Sequence, residues 1–266
     1  MARGWAIVTG ASSGIGREFA RELASRGFPI LAVARRRERL EELAKEALAR
    51  GGRIEILVAD LTTEQGVASV VQSIGELSEI EVLINNAGLA NVGNFLGATL
   101  DRERAAIRLN VDAVVALSHT VLQKMVRDRK GSIMNVASVV AFQPFPHFAV
   151  YAATKAFVLS FTEALAEEIR GTGVRILALC PGSVDTELDV FTHNEGILGK
   201  LPSLTPKQVV SVGLRALETG RVVKVVGILN RFLPLLERVA PRWTVRRLMG
   251  VVVKVPRASQ TQNVRS

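Results

Sequence analysis

A tyrosine and a lysine stand four residues apart in "YAATK", Tyr151 to Lys155, and Tyr151 is the only tyrosine among 266 residues. On a helix, residues with this spacing share a face. A phenol is a weak acid at neutral pH, and a neighbouring ammonium stabilises its phenolate and lowers its pKa. The pair therefore predicts a proton-transfer site, with Tyr151 as the acid or base and Lys155 as the group that activates it.

Further polar residues occur where predicted strands end. Ser138 ends the fifth predicted strand, thirteen residues before Tyr151, and "NNAG" (85–88) ends the fourth. Asn110 lies in a later helix. Because open α/β sheets bind ligands at the carboxyl ends of their strands, we expect these groups to gather at that edge with the tyrosine and the lysine.

The segment "TGASSGIG" (9–16) follows the first predicted strand and opens a helix. Its glycines at 10, 14 and 16 permit a sharp turn and a close approach to a pyrophosphate. The helix N-terminus then offers free N–H groups to the phosphates. In this context the pattern predicts a dinucleotide site, and a simple tight turn is the alternative.

The end of the second predicted strand bears on which dinucleotide is bound. An NAD site usually places an acid there to hold the ribose 2′-OH, but residues 29–37 contain none. Arg35 and Arg36 follow the strand and could pair with a 2′-phosphate, with Arg35 the better candidate. The alternative is that some of Arg36, Arg37 and Arg39 only cover an exposed first helical turn. The sequence therefore favours NADP(H) over NAD(H).

Seven short apolar runs alternate with amphipathic helical patterns along the chain. The runs carry Val, Ile and Leu at both alternating positions, as strands buried on both faces do. This repetition predicts a Rossmann-type, doubly wound α/β fold: a mainly seven-stranded parallel sheet flanked by helices, in a single domain with a C-terminal helical extension. The predicted strands are residues 5–9, 29–34, 53–59, 82–85, 132–137, 175–180 and 222–227.

The net charge of +9 arises after residue 220, where ten Lys/Arg accompany one acid, whereas the preceding residues are electrically balanced. A nucleic-acid enzyme would more often spread positive charge along a groove, so we expect no nucleic-acid partner. We expect one nucleotide-binding and catalytic domain over 1–229, a basic amphipathic helical extension over 230–256 and a disordered tail over 257–266. The extension could contact an anionic membrane surface, or dock on the body or a partner subunit, which we favour.

The single cysteine, Cys180, excludes an intramolecular disulfide and lies in an apolar stretch, where we expect it to be buried. No apolar run reaches the ~18 residues of a membrane span, and we identify no secretory signal. We therefore expect a cytoplasmic protein, peripheral at most to a membrane surface. The three histidines (His119, His147 and His193) are widely spaced, and we assign no metal ligand.

Together, these motifs resemble those of the short-chain dehydrogenase/reductase family in its compact single-domain form. The resemblance covers roughly residues 4–227, with the matching pieces in family order. Two departures are mild: Ala137 replaces a common serine, and Ala113 a common glycine. The pieces are "TGASSGIG", "AD" (59–60), "NNAG", Asn110, Ser138, "YAATK" and "PGSVDT" (181–186).

The resemblance implies a role for each matching residue. Tyr151 exchanges a proton with the substrate oxygen, and Lys155 lowers the tyrosine pKa and bonds the nicotinamide ribose. Ser138 holds the substrate oxygen, and Asn110 anchors a water of the proton relay. A homodimer or homotetramer is also implied. The cofactor-binding residues are expected to be Gly10, Ser12, Ser13, Gly14, Ile15, Gly16, Arg35, Arg36, Asp60, Leu61, Asn86, Ala87, Gly88, Tyr151, Lys155, Pro181, Gly182, Val184 and Thr186.

Two segments should frame the substrate. Residues 139–149 lead into the tyrosine helix, and residues 187–204 are expected to form a mobile lid. Their apolar side chains suggest a small hydrophobic ketone, aldehyde or secondary alcohol, although several could be ordinary core instead. These side chains are Phe142, Phe145, Phe148, Phe191, Ile197 and Leu198.

The main hypothesis is an NADP(H)-dependent oxidoreductase that transfers a hydride between nicotinamide and a hydrophobic carbonyl or secondary alcohol, with the tyrosine as general acid/base. The alternative is a non-catalytic NADP(H)-binding sensor or a membrane-associated scaffold. That alternative is disfavoured because a pure binder needs neither Ser138 nor Tyr151. An isomerase or dehydratase on the same fold usually has a separate substrate domain, for which this chain has no room.

Overall fold

The computed structural model describes residues 3–188, 203–227 and 241–253. Seven strands form one parallel sheet in the order β3-β2-β1-β4-β5-β6-β7. The strand order reverses between β1 and β4, which creates a crevice at their carboxyl ends. The strands are β1 (Trp5–Thr9), β2 (Ile30–Ala34), β3 (Ile54–Val58), β4 (Ile80–Asn85), β5 (Gly131–Val136), β6 (Val174–Pro181) and β7 (Val223–Val226).

Helices cover both faces of the sheet, so the predicted doubly wound α/β fold is confirmed. Each predicted strand lies within two residues of its observed bounds. A π-helical segment, Arg108–Asp112, joins two of the helices. The α-helices are α1 (Gly14–Ser25), α2 (Arg37–Leu48), α3 (Glu64–Glu76), α4 (Leu100–Ile107), α5 (Ala113–Arg127), α6 (Ala149–Glu168), α7 (Pro206–Glu218) and α8 (Arg242–Val252).

The burial of the strands explains their composition. Every residue of β2, "ILAVA", is buried, because helices pack on both faces of this inner strand. The edge strand β3 is only partly covered, and Glu55 and Val58 are exposed there. The apolar residues of α1 recur at helical spacing, and Phe19 and Leu23 are among those that pack against the sheet.

Among the described residues, one helical run, Leu100–Arg127, is long and apolar enough to cross a membrane by length and composition. In this fold its α5 part is a core helix. Leu117, Val121 and Met125 are buried against the sheet with the side chains of neighbouring strands. Packing on the sheet therefore explains the apolar character of this buried side of α5.

The described part of the C-terminal extension, helix α8, docks on the body. Val245, Met249 and Val253 are buried in a cluster with the aromatic residues that precede α6. Trp243 and Leu248 point away and are exposed. Docking, the favoured alternative, thus holds for this helix, and its charged side faces solvent.

Of the predicted extension over 230–256, residues 230–240 and 254–256 lie outside the described residues, and so do two further predictions. These are the disordered tail over 257–266 and, within the expected lid over 187–204, residues 189–202.

Candidate active site

The loop between β1 and α1 has no room for side chains where it meets β4. Gly10 and Gly14 adopt positive φ angles of 67° and 53°. A Cβ at Gly16 would lie 2.2 Å from the Gly10 carbonyl oxygen and 2.4 Å from Asn86 Nδ2. Helix α1 has no side-chain cap and no acid in its first turn, so its N-terminal N–H groups suit a pyrophosphate.

Thr9, which was not among the residues predicted from the sequence, holds the ends of β1 and β4 together at the crevice. Its hydroxyl accepts hydrogen bonds from the backbone N–H groups of Asn86 and Ala87, each at 3.0 Å. Asn86 Nδ2 donates in return to the Thr9 carbonyl oxygen at 3.0 Å. The sequence does contain a sign of this role, because Thr9 is a polar residue at the carboxyl end of the otherwise apolar strand β1.

One cleft at this edge gathers most of the predicted cofactor residues. Pro181 ends β6, and Gly182 and Val184 lie between it and Thr186 at the rim of the cleft, while Gly16 packs against the Gly10 carbonyl group of the loop. Tyr151 and Lys155 lie further along the sheet edge. The predicted residues that line the cleft are Gly10, Ser12, Ser13, Gly14, Ile15, Arg35, Arg36, Asp60, Leu61, Asn86, Ala87, Gly88 and Thr186.

Tyr151 and Lys155 lie one turn apart near the start of α6, and both are buried. Lys155 Nζ is 5.8 Å from the centroid of the Tyr151 ring and donates a hydrogen bond to the Val136 carbonyl oxygen at 2.7 Å. Loss of solvation lowers the pKa of Lys155 from 10.5 to about 8, with a smaller opposing effect of Cys180. The lysine is therefore mostly protonated at neutral pH and loses its proton in mildly alkaline solution.

Ser138 follows β5 and precedes a short 3₁₀ helix, Val139–Phe142. It is buried, and its hydroxyl oxygen accepts a hydrogen bond from the Val140 backbone N–H at 3.3 Å. Val140 belongs to the same apolar cluster as Tyr151. The serine is thus held on the segment that packs beside the tyrosine.

Asn110 lies in the π-helical segment, a type of irregularity that is frequent at functional sites. Its Oδ1 accepts from the Leu89 N–H at 2.9 Å, and its Nδ2 donates to the Leu89 carbonyl oxygen at 2.9 Å and to Thr154 Oγ1 at 3.0 Å. Thr154, which was not predicted from the sequence, donates to the Tyr151 carbonyl oxygen at 2.8 Å. A Cβ at Gly88 would lie 3.5 Å from Asn110 Oδ1 and 3.6 Å from Lys155 Nζ.

Asn110→Ala is expected to lower the free energy of unfolding by about 1–3 kcal/mol, because three hydrogen bonds are lost in a buried setting. Denaturant unfolding measures this change. The matched control is Asn94→Ala, which removes an exposed side chain that accepts one hydrogen bond from Leu96 N–H. An equal decrease in the free energy of unfolding of the two variants would contradict a stabilising role of the buried Asn110 hydrogen bonds.

The arginines after β2 differ in their placement. The Arg36 guanidinium reaches over the glycine loop and donates to Ser12 Oγ at 3.0 Å and Ser13 Oγ at 2.8 Å. Arg35, the candidate that the sequence favoured, is exposed where it lines the cleft. Arg36 therefore has the more direct geometry toward a ligand on this loop.

Two of the three described aromatic residues expected at the substrate are core. Phe145 and Phe148 are buried and pack edge to face, with ring centroids 5.6 Å apart. Helix α8 covers them. Phe142 is half-buried. Phe191, Ile197 and Leu198 lie outside the described residues.

Cys180 is buried at the end of β6, as expected. Burial raises the pKa of its thiol to about 12, with a further contribution from Glu163, and Lys155 and the Ser138 backbone oppose this effect. The thiol is therefore a neutral packing group under ordinary conditions.

Comparison with known proteins agrees with this geometry. Residues 4–195 match the family model described as short chain dehydrogenase. The chain is 36% identical over 197 residues to 17-beta-hydroxysteroid dehydrogenase type 3 from Homo sapiens, covering 73% of this chain and 63% of that one. The chain spans about three fifths of the length of this and similar curated relatives.

Two solved structures resemble the whole chain. A short-chain dehydrogenase from Sphingobium yanoikuyae in complex with NADPH has a TM-score of 0.79 and 30% identity, covering 95% of this chain and 97% of that one. The bulky-bulky ketone specific alcohol dehydrogenase from Comamonas testosteroni has a TM-score of 0.78 and 28% identity, covering 98% and 99%. With most of its length matched by the family model, the chain belongs to the short-chain dehydrogenase/reductase family, whose oxidoreductases use NAD(P)(H).

Proposed function

We propose that the chain is an NADP(H)-dependent oxidoreductase that transfers a hydride between nicotinamide and a hydrophobic carbonyl or secondary alcohol. The observation that carries this proposal is the buried Tyr151–Lys155 pair at the same sheet edge as the glycine-loop cleft. A protein that only binds the dinucleotide would not need a phenolic hydroxyl for proton transfer at this edge.

The cleft fits a dinucleotide, since the glycine loop is closed to side chains and the N-terminus of α1 is uncapped. Asp60 and Leu61 would face the adenine end, and Thr186 with the residues before it would hold the nicotinamide end. When bound, the nicotinamide supplies or accepts the hydride.

In the reducing direction, Tyr151 donates its phenolic proton to the substrate oxygen, so that hydride and proton together convert a carbonyl to an alcohol. In the oxidising direction, Tyr151 takes the proton back. The ammonium of Lys155 stabilises the phenolate that forms. Ser138 holds the substrate oxygen through its hydroxyl group, and Asn110 fixes the position of α6 through Thr154.

The preference for NADP(H) is assigned to Arg36, which lies over the glycine loop. Arg36→Gln is expected to weaken NADPH binding about tenfold and to leave NADH binding nearly unchanged, because a guanidinium–phosphate pair is a strong charge-assisted contact. Titration calorimetry measures both affinities. Arg37→Gln is the control, since this neighbouring arginine pairs with Glu41 along α2. An equal loss for both cofactors would contradict the assignment.

The substrate class is assigned as hydrophobic carbonyls, with bulky ketones favoured. Phe145 and Phe148 are core, but the partly buried Val92 and Leu188 pack against the apolar cluster that contains Tyr151. The names of two similar proteins, a hydroxysteroid dehydrogenase and a bulky-ketone alcohol dehydrogenase, support the same class.

The test is oxidation of NADPH and NADH against a panel of hydrophobic ketones, aldehydes and a ketosteroid, with small hydrophilic carbonyls as controls. We expect turnover with NADPH and a hydrophobic carbonyl. Faster turnover with NADH, or with the hydrophilic controls, would overturn the assignment of cofactor or of substrate.

A further inference from the structure

A carboxylate on the segment that follows β6 bridges two of the arginines near the start of α2, Arg36 and Arg39. Glu187 Oε2 is 2.8 Å from Arg36 Nη1, and Glu187 Oε1 is 2.7 Å from Arg39 Nη1. The three side chains are only partly exposed, between 30% and 42%. Each carboxylate oxygen therefore has a guanidinium of its own, in a setting that water shields incompletely.

This bridge lies at the cofactor cleft. Both Arg36 and Glu187 line the cleft, and the Arg36 guanidinium that pairs with Glu187 also bonds the serines of the glycine loop. Thr186, the neighbour of Glu187, is so near the loop that a Cβ at Gly14 would be 2.9 Å from its Cγ2. The Glu187 carboxylate is thus paired with the Arg36 and Arg39 guanidinium groups, next to the expected position of a dinucleotide ribose.

Glu187 is ionised at neutral pH. Its partial burial would raise the pKa of the carboxyl group, but hydrogen bonds and charges from Arg36 and then Arg39 outweigh that effect and hold the pKa below 4.5. A fixed negative charge is therefore present at the rim of the cleft before any cofactor arrives.

We propose that Glu187 is an internal anion that occupies the arginine site of the NADP 2′-phosphate and thereby limits how strongly the chain prefers NADPH over NADH. The inference rests on the proposed function. A 2′-phosphate carries one to two negative charges and takes the same guanidinium forks. Binding of NADPH then displaces the Glu187 carboxylate, whereas NADH, which has no such phosphate, leaves the bridge in place.

The proposal predicts a gain of affinity on removal of one charge. Glu187→Gln keeps the side-chain shape and loses the competing anion. It is expected to bind NADPH about three- to tenfold more tightly than the wild type, since displacement no longer breaks two partly exposed ion pairs. The affinity for NADH is expected to stay unchanged.

The experiment is calorimetric titration of the full chain with NADPH, NADH, AMP and AMP carrying a 2′-phosphate. The matched control is Glu218→Gln, which breaks a 2.6 Å ion pair with Arg26 between α1 and α7. We expect Glu218→Gln to change no affinity, and Glu187→Gln to tighten only the two ligands that carry the 2′-phosphate.

Other outcomes distinguish failure of the Glu187 proposal from failure of the proposed function. Tight NADPH binding that is equal in wild type and Glu187→Gln overturns this inference alone. Weaker NADPH binding in the variant means that the carboxylate organises the arginines for the phosphate, and weaker NADH binding means that it holds the ribose hydroxyl. Either of these results overturns the proposal. If the wild type binds neither NADPH nor NADH, the proposed function is overturned as well.

Discussion

Replacing Tyr151 with Phe is expected to lower kcat for carbonyl reduction by about 10²–10⁴-fold, the usual contribution of a positioned general acid. The substitution removes only the phenolic oxygen. The ring stays in its apolar cluster beside Val140 and Phe148, so the fold and the glycine-loop cleft are preserved. Because the Tyr151 hydroxyl is also an expected cofactor contact, NADPH affinity should fall by at most about tenfold, far less than kcat.

Two measurements make this test specific. The affinity for NADPH and the thermal unfolding of the variant establish that it is folded and that it binds the cofactor. Because Tyr151 is the only tyrosine, tyrosinate absorbance follows its ionisation alone, and that titration should coincide with the pH dependence of kcat/KM. Undiminished turnover in the variant would remove Tyr151 from the mechanism.

The second large effect is a pH-dependent stability that originates at Lys155. Burial lowers its pKa from 10.5 to about 8. Between these two values the unfolded chain holds a proton that the folded chain has lost, so this group makes the folded state more stable as the pH rises. A pKa change of this size corresponds to about 3 kcal/mol.

Lys155→Met isolates that contribution. The free energy of unfolding of the wild type, minus that of the variant, should rise by about 3 kcal/mol from neutral pH to about pH 10.5. Burial also raises the pKa of Cys180 to about 12, which destabilises the fold at alkaline pH, but this thiol is common to both proteins. The difference is therefore the quantity to measure, by denaturant unfolding at each pH.

Lys130→Met serves as the surface control. Hydrogen bonds to Glu79 and then Glu81 raise the pKa of Lys130, so its contribution is present at neutral pH and falls as the pH rises through that pKa. Its side chain is 53% exposed, which keeps the effect small. If the difference in the free energy of unfolding between the wild type and Lys155→Met does not change with pH, the pH dependence does not originate at the Lys155 ammonium.

The elements and the main proton-transfer pair were predictable because both depend on local patterns. Runs of apolar residues specify buried strands, and a four-residue spacing specifies a shared helix face. The glycine loop was predictable for the same reason, since strand, turn and helix follow one another in the sequence.

Contacts between distant segments were not predictable in this way. Thr154 bonds Asn110 across 44 residues, and Glu187 meets Arg36 across 151 residues. The aromatic residues before α6 could equally have lined a pocket or filled the core. Phe145 and Phe148 belong to the core because helix α8 packs on them. The position at which α8 docks is set by the whole fold and not by a local sequence pattern.

Three expectations from the sequence stay predictions. These are a homodimer or homotetramer, a peripheral membrane contact of the basic extension, and a cytoplasmic location. The exposed Trp243 on α8, with the Arg247 guanidinium 5.6 Å from its ring centroid, is the described feature to which a membrane contact would be assigned.

The most direct test of the central claim follows the transferred hydrogen. The purified chain is incubated with a hydrophobic ketone and with NADPH deuterated at the nicotinamide carbon that carries the hydride, and the alcohol is analysed by mass spectrometry. The account predicts one deuterium on the former carbonyl carbon for each NADPH oxidised. An alcohol without deuterium, or NADPH consumption without alcohol, would contradict it.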